Sequence, residues 1–445
     1  MTPLGPPPTA PPAPPVRRVL LAGAAGNFVE WYEFGVYGSF ATVLADRFFT
    51  PAPGAGPAGA GPLLAVYASF AVAFFLRPAG ALVFGRLGDR IGRRPALMLS
   101  VGLMTLATTL MGLLPTRDAA GAAAPWLLTL LRALQGFSAG GEFGGAVALM
   151  AEQAPPGRRG RHGAWQSFTV ALGLLAGAAT AALLASALSP QALTAWGWRV
   201  PFLLSLPLGL TALTLRTSLP EPPAEGGRDV AADAVPRPAR PVPDRRGAAV
   251  TARTVLLGVG RIMGWSAAGY TFLVVLPSYL QATLGASLRE ALVATALANL
   301  GFAASILPAG ILSDRVGRRP VMLAGALAVT LLALPLLHLL QDPDAPAPAK
   351  AAAVCGAGAA VGLLAGPGPA MLAEMFPAHV RCTGLGVAYA LANAVFSGCA
   401  GLVITALTAG TGSGNVPAYY AAGACALSAL ALSGLRGDDH RRALR

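Results

Sequence analysis

Twelve stretches of about twenty or more mostly apolar residues run through this 445-residue chain, and each could cross a bilayer as a helix. They lie near 18–45, 62–86, 95–115, 124–150, 164–188 and 199–218, then near 253–281, 289–312, 320–340, 350–373, 382–408 and 416–436. A polar, Pro-rich break at 220–249 separates two sets of six. It holds Glu221, Glu225, Arg228, Asp229, Asp233, Arg237, Arg240, Asp244, Arg245 and Arg246 and reads as a linker with no reason to pack. Charged residues are only 11% of the chain against 55% hydrophobic, where soluble proteins carry about a quarter charged. A soluble enzyme is excluded, and the bilayer is the solvent.

The net charge of +13 would suit nucleic acid if the basic residues formed a patch. They do not. With the N-terminus cytoplasmic, 24 of the 32 basic residues fall in cytoplasmic segments, and five (Arg47, Arg117, Arg199, Arg289 and Lys350) fall in outside loops. The remaining three, Arg77, Arg132 and Arg261, lie within spans. This asymmetry places both termini inside a cell membrane and accounts for the charge without nucleic acid. Lys350 is the only lysine in a chain dominated by Ala, Gly, Pro and Arg, which points to a GC-rich bacterial source.

The expected organisation is a disordered Pro-rich tail at 1–17, a six-helix bundle at 18–218, and a cytoplasmic linker at 219–252. A second bundle follows at 253–436, with a cytoplasmic tail at 437–445. Arg17-Arg18 before an apolar run resembles a signal peptide, but the apolar character continues to about Phe49, too long for one.

The chain also repeats itself. Gly85-Arg86-Leu87-Gly88-Asp89-Arg90-Ile91-Gly92-Arg93-Arg94-Pro95 recurs as Gly310-Ile311-Leu312-Ser313-Asp314-Arg315-Val316-Gly317-Arg318-Arg319-Pro320, at an offset of 225 residues. Each copy sits between the second and third spans of its half. A weaker echo pairs Glu152 and Pro156 with Glu374 and Pro377. Parallel repeats of six spans imply two bundles related by an axis normal to the membrane, with a transport site between them. The glycines allow a tight turn, and Pro95 and Pro320 suit the first turn of the next helix. Asp89 and Asp314 can pair with arginines and helix N-termini, holding the bundles closed on the cytoplasmic side. The gating set is therefore Gly85, Asp89, Arg90, Gly92, Arg93, Arg94, Gly310, Asp314, Arg315, Gly317, Arg318 and Arg319. A single copy would fit a purely topogenic role equally well; two matched copies favour a gate.

This turn resembles the signature loop of the major facilitator superfamily. Three further stretches narrow the likeness: residues 26–38 (GNFVEWYEFGVYG), 75–80 (FLRPAG) and 132–142 (RALQGFSAGGE). With Trp196-Gly197-Trp198-Arg199-Val200-Pro201-Phe202 they resemble the metabolite:proton symporter family, which includes bacterial carriers for proline/glycine betaine, α-ketoglutarate, citrate and shikimate. Leu276-Pro277-Ser278-Tyr279-Leu280 and Val416-Pro417-Ala418-Tyr419-Tyr420 look most like the proline/betaine branch. The resemblance implies an all-α membrane protein of twelve transmembrane helices in two pseudo-symmetric bundles. Glu33 stands where that family commonly has Asp. The sequence ends at Arg445 without the long charged coiled coil of the osmosensing form, which leaves osmotic gating unsupported.

Ionisable residues inside spans mark function by default. On the first span Asn27, Glu30, Phe34 and Tyr37 share a face, with Glu33 about 60° round from Glu30. Two carboxylates one turn apart cannot both ionise cheaply in a partly dry cavity, so one is expected to hold a proton. The plainer alternative for either is a fixed ion pair with an arginine of a neighbouring span. On the fourth span Arg132, Gln135, Ala139 and Glu142 form one stripe, and Gly136, Gly140 and Gly144 form a small-residue track for close packing. Arg132 can offer a planar fork to a carboxylate, with Arg261 as a second anion ligand from the other half. Arg77, beside Pro78, is read as a snorkelling residue near a helix end. Trp31, Tyr32, Tyr37, Trp265 and Tyr270 could cage a quaternary ammonium, although aromatic residues in membrane helices more often serve packing.

The expected function is proton-coupled import of a small zwitterion or organic acid by alternating access. Glu30, Glu33 and Glu142 are the proton-coupling candidates, and Asn27, Tyr37, Arg132, Gln135, Arg261, Trp265 and Tyr270 the substrate-binding ones. The proton is the coupling ion, and no cofactor or metal is expected. Partners are a small-molecule substrate, protons and lipid. The sequence sets no oligomeric state and is compatible with a monomer. One alternative is a proton-antiport exporter, but such carriers usually carry a Gly-Pro kink in the fifth span, and 163–188 contains no proline. A non-transporting sensor lacks an output domain here. An enzyme is not supported, since His162, His338, His379 and His440 are scattered and Cys355, Cys382, Cys399 and Cys425 form no CxxC.

Overall fold

A computed structural model describes residues 16–50, 59–91, 93–141, 147, 150–151, 154–155, 157–217, 245–377 and 380–436. Most of the described residues are helical, and none is in a strand. Twelve principal helices follow one another: α1 Val16–Ser39, α2 Gly61–Ile91, α3 Arg93–Leu113, α4 Ala123–Ser138, α5 Arg159–Ala187 and α6 Arg199–Thr217. The second half contributes α7 Arg245–Tyr270, α8 Leu288–Val316, α9 Arg318–Gln341, α10 Ala347–Ala365, α11 Arg381–Ala392 and α12 Val416–Ser433. Ten of these, several with their continuations, are long and apolar enough to cross a membrane. The 24-residue α1 and the 16-residue α4, which runs on as a tighter turn at Ala139–Gly141, complete the twelve. The repeated turns lie between α2 and α3 and between α8 and α9; the side carrying them is here the repeat face, and its opposite the far face.

Two boundaries differ from expectation. α1 begins at Val16, and α7 begins at Arg245, inside the segment expected to be linker. Ala248 and Ala249 are strong helix formers, so the helix extends below the apolar window. The rest of the linker, 218–244, and the tails at 1–15 and 437–445 lie outside the described residues.

Local chemistry explains several ends. Ser287 and Glu290 form a reciprocal capping box at the start of α8. Gly317, at φ +99°, makes the α8–α9 turn in a backbone region that side-chain-bearing residues rarely enter. Interruptions recur in the first and fourth helices of each half. α1 passes through Phe40 into Ala41–Leu44 and a widened turn at Ala45–Phe49, and α7 widens at Thr271–Val275 before Leu276–Ala282. α10 breaks at Gly366 and Pro367 before Gly368–Met375, and α11 also widens, at Asn393–Gly398. Irregular backbone at membrane depth is tolerated where protein or a cavity, rather than lipid, surrounds it.

Within each half the helices approach through glycine. A Cβ on Gly136 would lie 2.0 Å from the Ala73 carbonyl oxygen, and one on Gly140 2.0 Å from that of Arg77, so α4 lies directly on α2. The second half repeats this on α8 and α10, where Gly301 meets the backbone of Cys355 and Gly358 that of Ala298. Of the small-residue track, Gly144 lies outside the described residues.

The two halves touch at both faces. α5 packs on α8 near the repeat face, where Gly160 and Gly310 admit each other's backbone. Toward the far face α2 packs on the continuation of α11, with Phe74 over Gly398 of the widened turn and Tyr67 over Gly401 of the following helix, Ala400–Thr411. The two halves are therefore in contact on both sides of the helix layer.

Gly136→Ala is expected to cost about 1–3 kcal/mol through the clash on α2. Gly102→Ala, where a Cβ meets nothing within 4 Å, should be neutral or gain up to about 1 kcal/mol from helix propensity. Thermal unfolding in detergent compares the two directly.

Candidate functional site

At mid-depth, α1 presents its carboxylates to two different neighbours. Glu33, fully buried, accepts a hydrogen bond through Oε2 from the Thr108 hydroxyl on α3 (2.6 Å) and from Gln135 Nε2 on α4 (2.9 Å). Gln135 Nε2 also donates to Thr108 Oγ1 at 2.8 Å, and its Oε1 accepts from Arg132 Nη1. The chain Arg132–Gln135–Glu33 therefore crosses from α4 to α1 through one side-chain amide. Arg132 is 0% exposed, and its guanidinium lies 4.1–4.8 Å from the ring centroids of Phe34, Tyr37 and Phe70.

This cluster is incompletely bonded. Arg132 Nε and Nη2 and Glu33 Oε1 are buried without a hydrogen-bond partner among the described residues. Buried polar atoms are almost always satisfied, and one on a charged group costs most when it is not. A buried arginine edge and a buried carboxylate oxygen with open valences are suited to take an anion and a proton.

Glu30 is placed differently. Its Oε1 lies 2.9 Å from Arg77 Nη2, and both side chains are more than nine-tenths buried. Arg77 is thus no snorkelling residue. It stands seven residues before Phe84, where the apolar span of α2 ends, yet its head is buried and turned to Glu30 and not to the interface. Its guanidinium rests 4.4–5.7 Å from the rings of Phe74, Phe34 and Trp31. Glu30 is thus found in an ion pair with an arginine of a neighbouring helix.

The second half packs aromatic residues against the cluster. Tyr270 stands 5.5 Å from Phe74, 6.0 Å from Phe70 and 6.3 Å from Trp31 between ring centroids, with its buried hydroxyl unbonded among the described residues. Trp265 packs against Tyr389 and over Gly368. Tyr37 shares a hydrogen bond with Ser69 at 2.6 Å, and Tyr32 donates to the Pro201 carbonyl.

Two expected substrate ligands lie outside this cluster. Arg261, on α7, donates through Nε to the Ala431 carbonyl of α12. It is nine residues from Tyr270, or roughly 13 Å along the helix, and faces the wall of its own bundle. Asn27 donates to Thr169 Oγ1 (2.6 Å) and to the Gln166 carbonyl, tying α1 to α5. Glu142 lies outside the described residues.

On the repeat face Asp314 accepts from the backbone N–H groups of Gly160 (2.7 Å) and Arg161 (2.8 Å) at the N-terminus of α5, where the helix dipole favours an anion. Arg318 pairs with Asp314 at 2.7 Å and with Glu374 at 3.0 Å, and Arg159 of the first half reaches Glu374 at 3.1 Å. Ser167 donates to the Ala365 carbonyl beside the α10 break. The second copy of the repeat thus holds a charged clasp between the halves. Arg90, Arg315 and Arg319 point to solvent, and Arg94 donates to the Thr217 carbonyl. Gly85 lies within α2; the side chains of Asp89 and Arg93, and all of Gly92, lie outside the described residues. On the far face closure is neutral: Thr42 donates to Gln281 (3.0 Å), and Tyr67 and Ser278 share a bond of 2.5 Å.

Thr108, the rings of Phe34, Phe70 and Phe74, and the clasp pair Arg159–Glu374 were not among the expected site residues. A lone threonine in an apolar span carries no signal. Glu374 did carry one, in the echo of Glu152 and Pro156 by Glu374 and Pro377.

Two helical bundles closed around a buried, partly unsatisfied charge cluster define a secondary transporter. Residues 19–251 match the Sugar (and other) transporter family and residues 265–444 the Major Facilitator Superfamily. The chain belongs to the major facilitator superfamily and is a multi-pass membrane protein. It is 35% identical over 427 residues to the ectoine/proline transporter ProP of Corynebacterium glutamicum, covering 94% of this chain and 83% of that one. It is 33% identical to the proline/betaine transporter of Escherichia coli K12 (91% and 80% covered) and 33% identical to a citrate-proton symporter of Klebsiella pneumoniae (91% of each). The fold is that of the xylose transporter XylE from E. coli in a partially occluded inward open conformation, at TM-score 0.72 and 20% identity over 94% of this chain and 96% of that chain.

Glu374→Gln should release the clasp, leaving Arg159 and Arg318 without their shared carboxylate. A cysteine introduced at Ser167 is then expected to react with a membrane-impermeant thiol reagent from the repeat face at least tenfold faster than in the clasped parent. Unchanged labelling would remove the clasp from gating.

Proposed function

We propose that this chain imports a small zwitterion of the proline and glycine betaine kind together with a proton, by alternating access between its two bundles. The observation that carries this reading is the pair of open valences, Arg132 Nε/Nη2 and Glu33 Oε1, buried within one hydrogen-bonded cluster. The substrate carboxylate takes the open edge of Arg132. The proton goes to Glu33, which Thr108 and Gln135 hold in place from neighbouring helices. Either ligand alone leaves an uncompensated charge in a dry cavity, so the carrier reorients only when both are bound. The repeat face is cytoplasmic by the distribution of basic residues, with both termini on that side. Import then ends with the Asp314–Arg318–Glu374–Arg159 clasp opening. Glu142 remains a candidate for a further proton-coupling group on α4, and Asp89 and Arg93 for a matching clasp in the first half.

A di- or tricarboxylate is the second reading, favoured by the likeness to a citrate-proton symporter. Charge counts against it: Arg77 is already paired with Glu30, which leaves Arg132 as the cation in the cluster with an open edge. One arginine suits one carboxylate better than three.

The test is uptake into proteoliposomes under an inward proton gradient, with labelled proline, glycine betaine and citrate compared. Accumulation of a zwitterion that collapses with a protonophore is expected; accumulation of citrate alone would move the assignment to the second reading. Arg132→Lys keeps the charge but loses the fork. It should weaken substrate binding at least tenfold, roughly 1.4 kcal/mol, and unchanged affinity would remove Arg132 from the site.

A further inference from the structure

We propose that Arg77 is a tethered stand-in for the substrate's own positive charge, occupying the cation seat while the carrier is empty. The inference rests on the zwitterion reading above and concerns how the unloaded protein returns.

A zwitterion brings two charges into the site, and the open edge of Arg132 serves only the negative one. The positive nitrogen needs a seat of its own with a counter-charge and π faces. Such a seat exists at Glu30, walled by Trp31, Phe34 and Phe74, and Arg77 fills it: its guanidinium is 2.9 Å from Glu30 Oε1 and 4.4, 4.8 and 5.7 Å from the centroids of Phe74, Phe34 and Trp31. Phe34 borders both seats, since Arg132 lies 4.8 Å from the same ring. The anion edge and the cation seat therefore share the Phe34 ring as a common wall.

The way Arg77 is held supports replacement. Arginine in a permanent structural pair normally uses its planar fork in aligned hydrogen bonds. Here Nε has no acceptor among the described residues, and Nη2 meets Glu30 off the line of a hydrogen bond. The seat holds Arg77 by charge and by ring faces, the two attractions that a quaternary ammonium without N–H groups can reproduce. Arginine also has a long, flexible stem, and Arg77 stands seven residues before the end of the apolar span at Phe84, so its charged head can withdraw toward water at the repeat face when an ammonium arrives.

The consequence is kinetic. An importer must reorient empty after each delivery, and losing the substrate's cation with no replacement would leave one more buried negative charge in that step. Arg77 neutralises Glu30 on the return journey, and the substrate neutralises it on the loaded one.

The test pairs a binding measurement with two transport modes, on full-length protein. Tetramethylammonium serves as the bare cation probe by calorimetry in detergent at pH 8. Arg77→Gln vacates the seat and should bind the probe at least tenfold more tightly than wild type, whereas Arg77→Lys, which keeps a tethered cation, should resemble wild type. In proteoliposomes Arg77→Gln should retain glycine betaine counterflow within about twofold and lose net uptake at least tenfold. That split would not arise from a merely structural role, which depresses both modes together. Arg77→Met, unbranched and uncharged, carries the same comparison if the glutamine variant does not fold. Equal or weaker probe binding in the vacated variant overturns the proposal, as does parallel loss of counterflow and net uptake in a variant that unfolds at the wild-type temperature. If wild type moves no zwitterion, the substrate reading fails by itself, while the calorimetric comparison still decides whether Arg77 occupies a cation seat.

Discussion

The structure depends on one buried side chain, Arg132, placed where water cannot reach it and bonded on only one edge. Burying an ion without a full set of partners is expensive. Gln135 satisfies one edge, three aromatic rings contact the guanidinium, and Glu33 supplies counter-charge through the amide. The unmet edge has value only if something else meets it. A binding site is a place where that deficit is cheaper to keep than to fill with protein.

Keeping the deficit requires walls that close without collapsing onto it. The glycine contacts achieve this by locking helices to each other backbone to backbone: α2 to α4 through Gly136 and Gly140, and α8 to α10 through Gly301 and Gly358. Each half can then move as a body, because its internal contacts are too close for side chains to slide. The contacts between halves are of another kind. At the repeat face they are ion pairs and a capped helix terminus; at the far face they are two neutral hydrogen bonds and ring-on-glycine packing. Such contacts exchange with water more readily than a packed core does, so rocking breaks them first.

Much of this was legible in the residues. The twelve spans, the twofold repeat, the α4 stripe of Arg132 and Gln135 and the glycine track beside it all followed from periodicity and length. Pairing did not. Glu30 and Glu33 look equivalent on a helical wheel, yet a 60° turn sends one to Arg77 on α2 and the other to Thr108 and Gln135. Arg77 was placed rightly toward the repeat-face end of its span, which ends at Phe84, but its head turns inward to Glu30 instead of snorkelling to the interface. Arg261 was expected in the cavity on sequence depth alone, but its rotation about α7 points it to α12. The widened turns at Thr271–Val275 and Asn393–Gly398 leave no compositional trace, since they come from packing around the cavity.

The central claim is that the cluster fills its open valences with an anion and a proton together. The direct measurement is the number of protons taken up per glycine betaine bound, from calorimetry at pH 8 in buffers of different ionisation enthalpy. Net proton uptake on binding is expected for the wild type, rising toward one per ligand as the pH is raised above 8, and falling to about zero in Glu33→Gln. Binding of undiminished affinity with no proton uptake in the wild type would contradict the account.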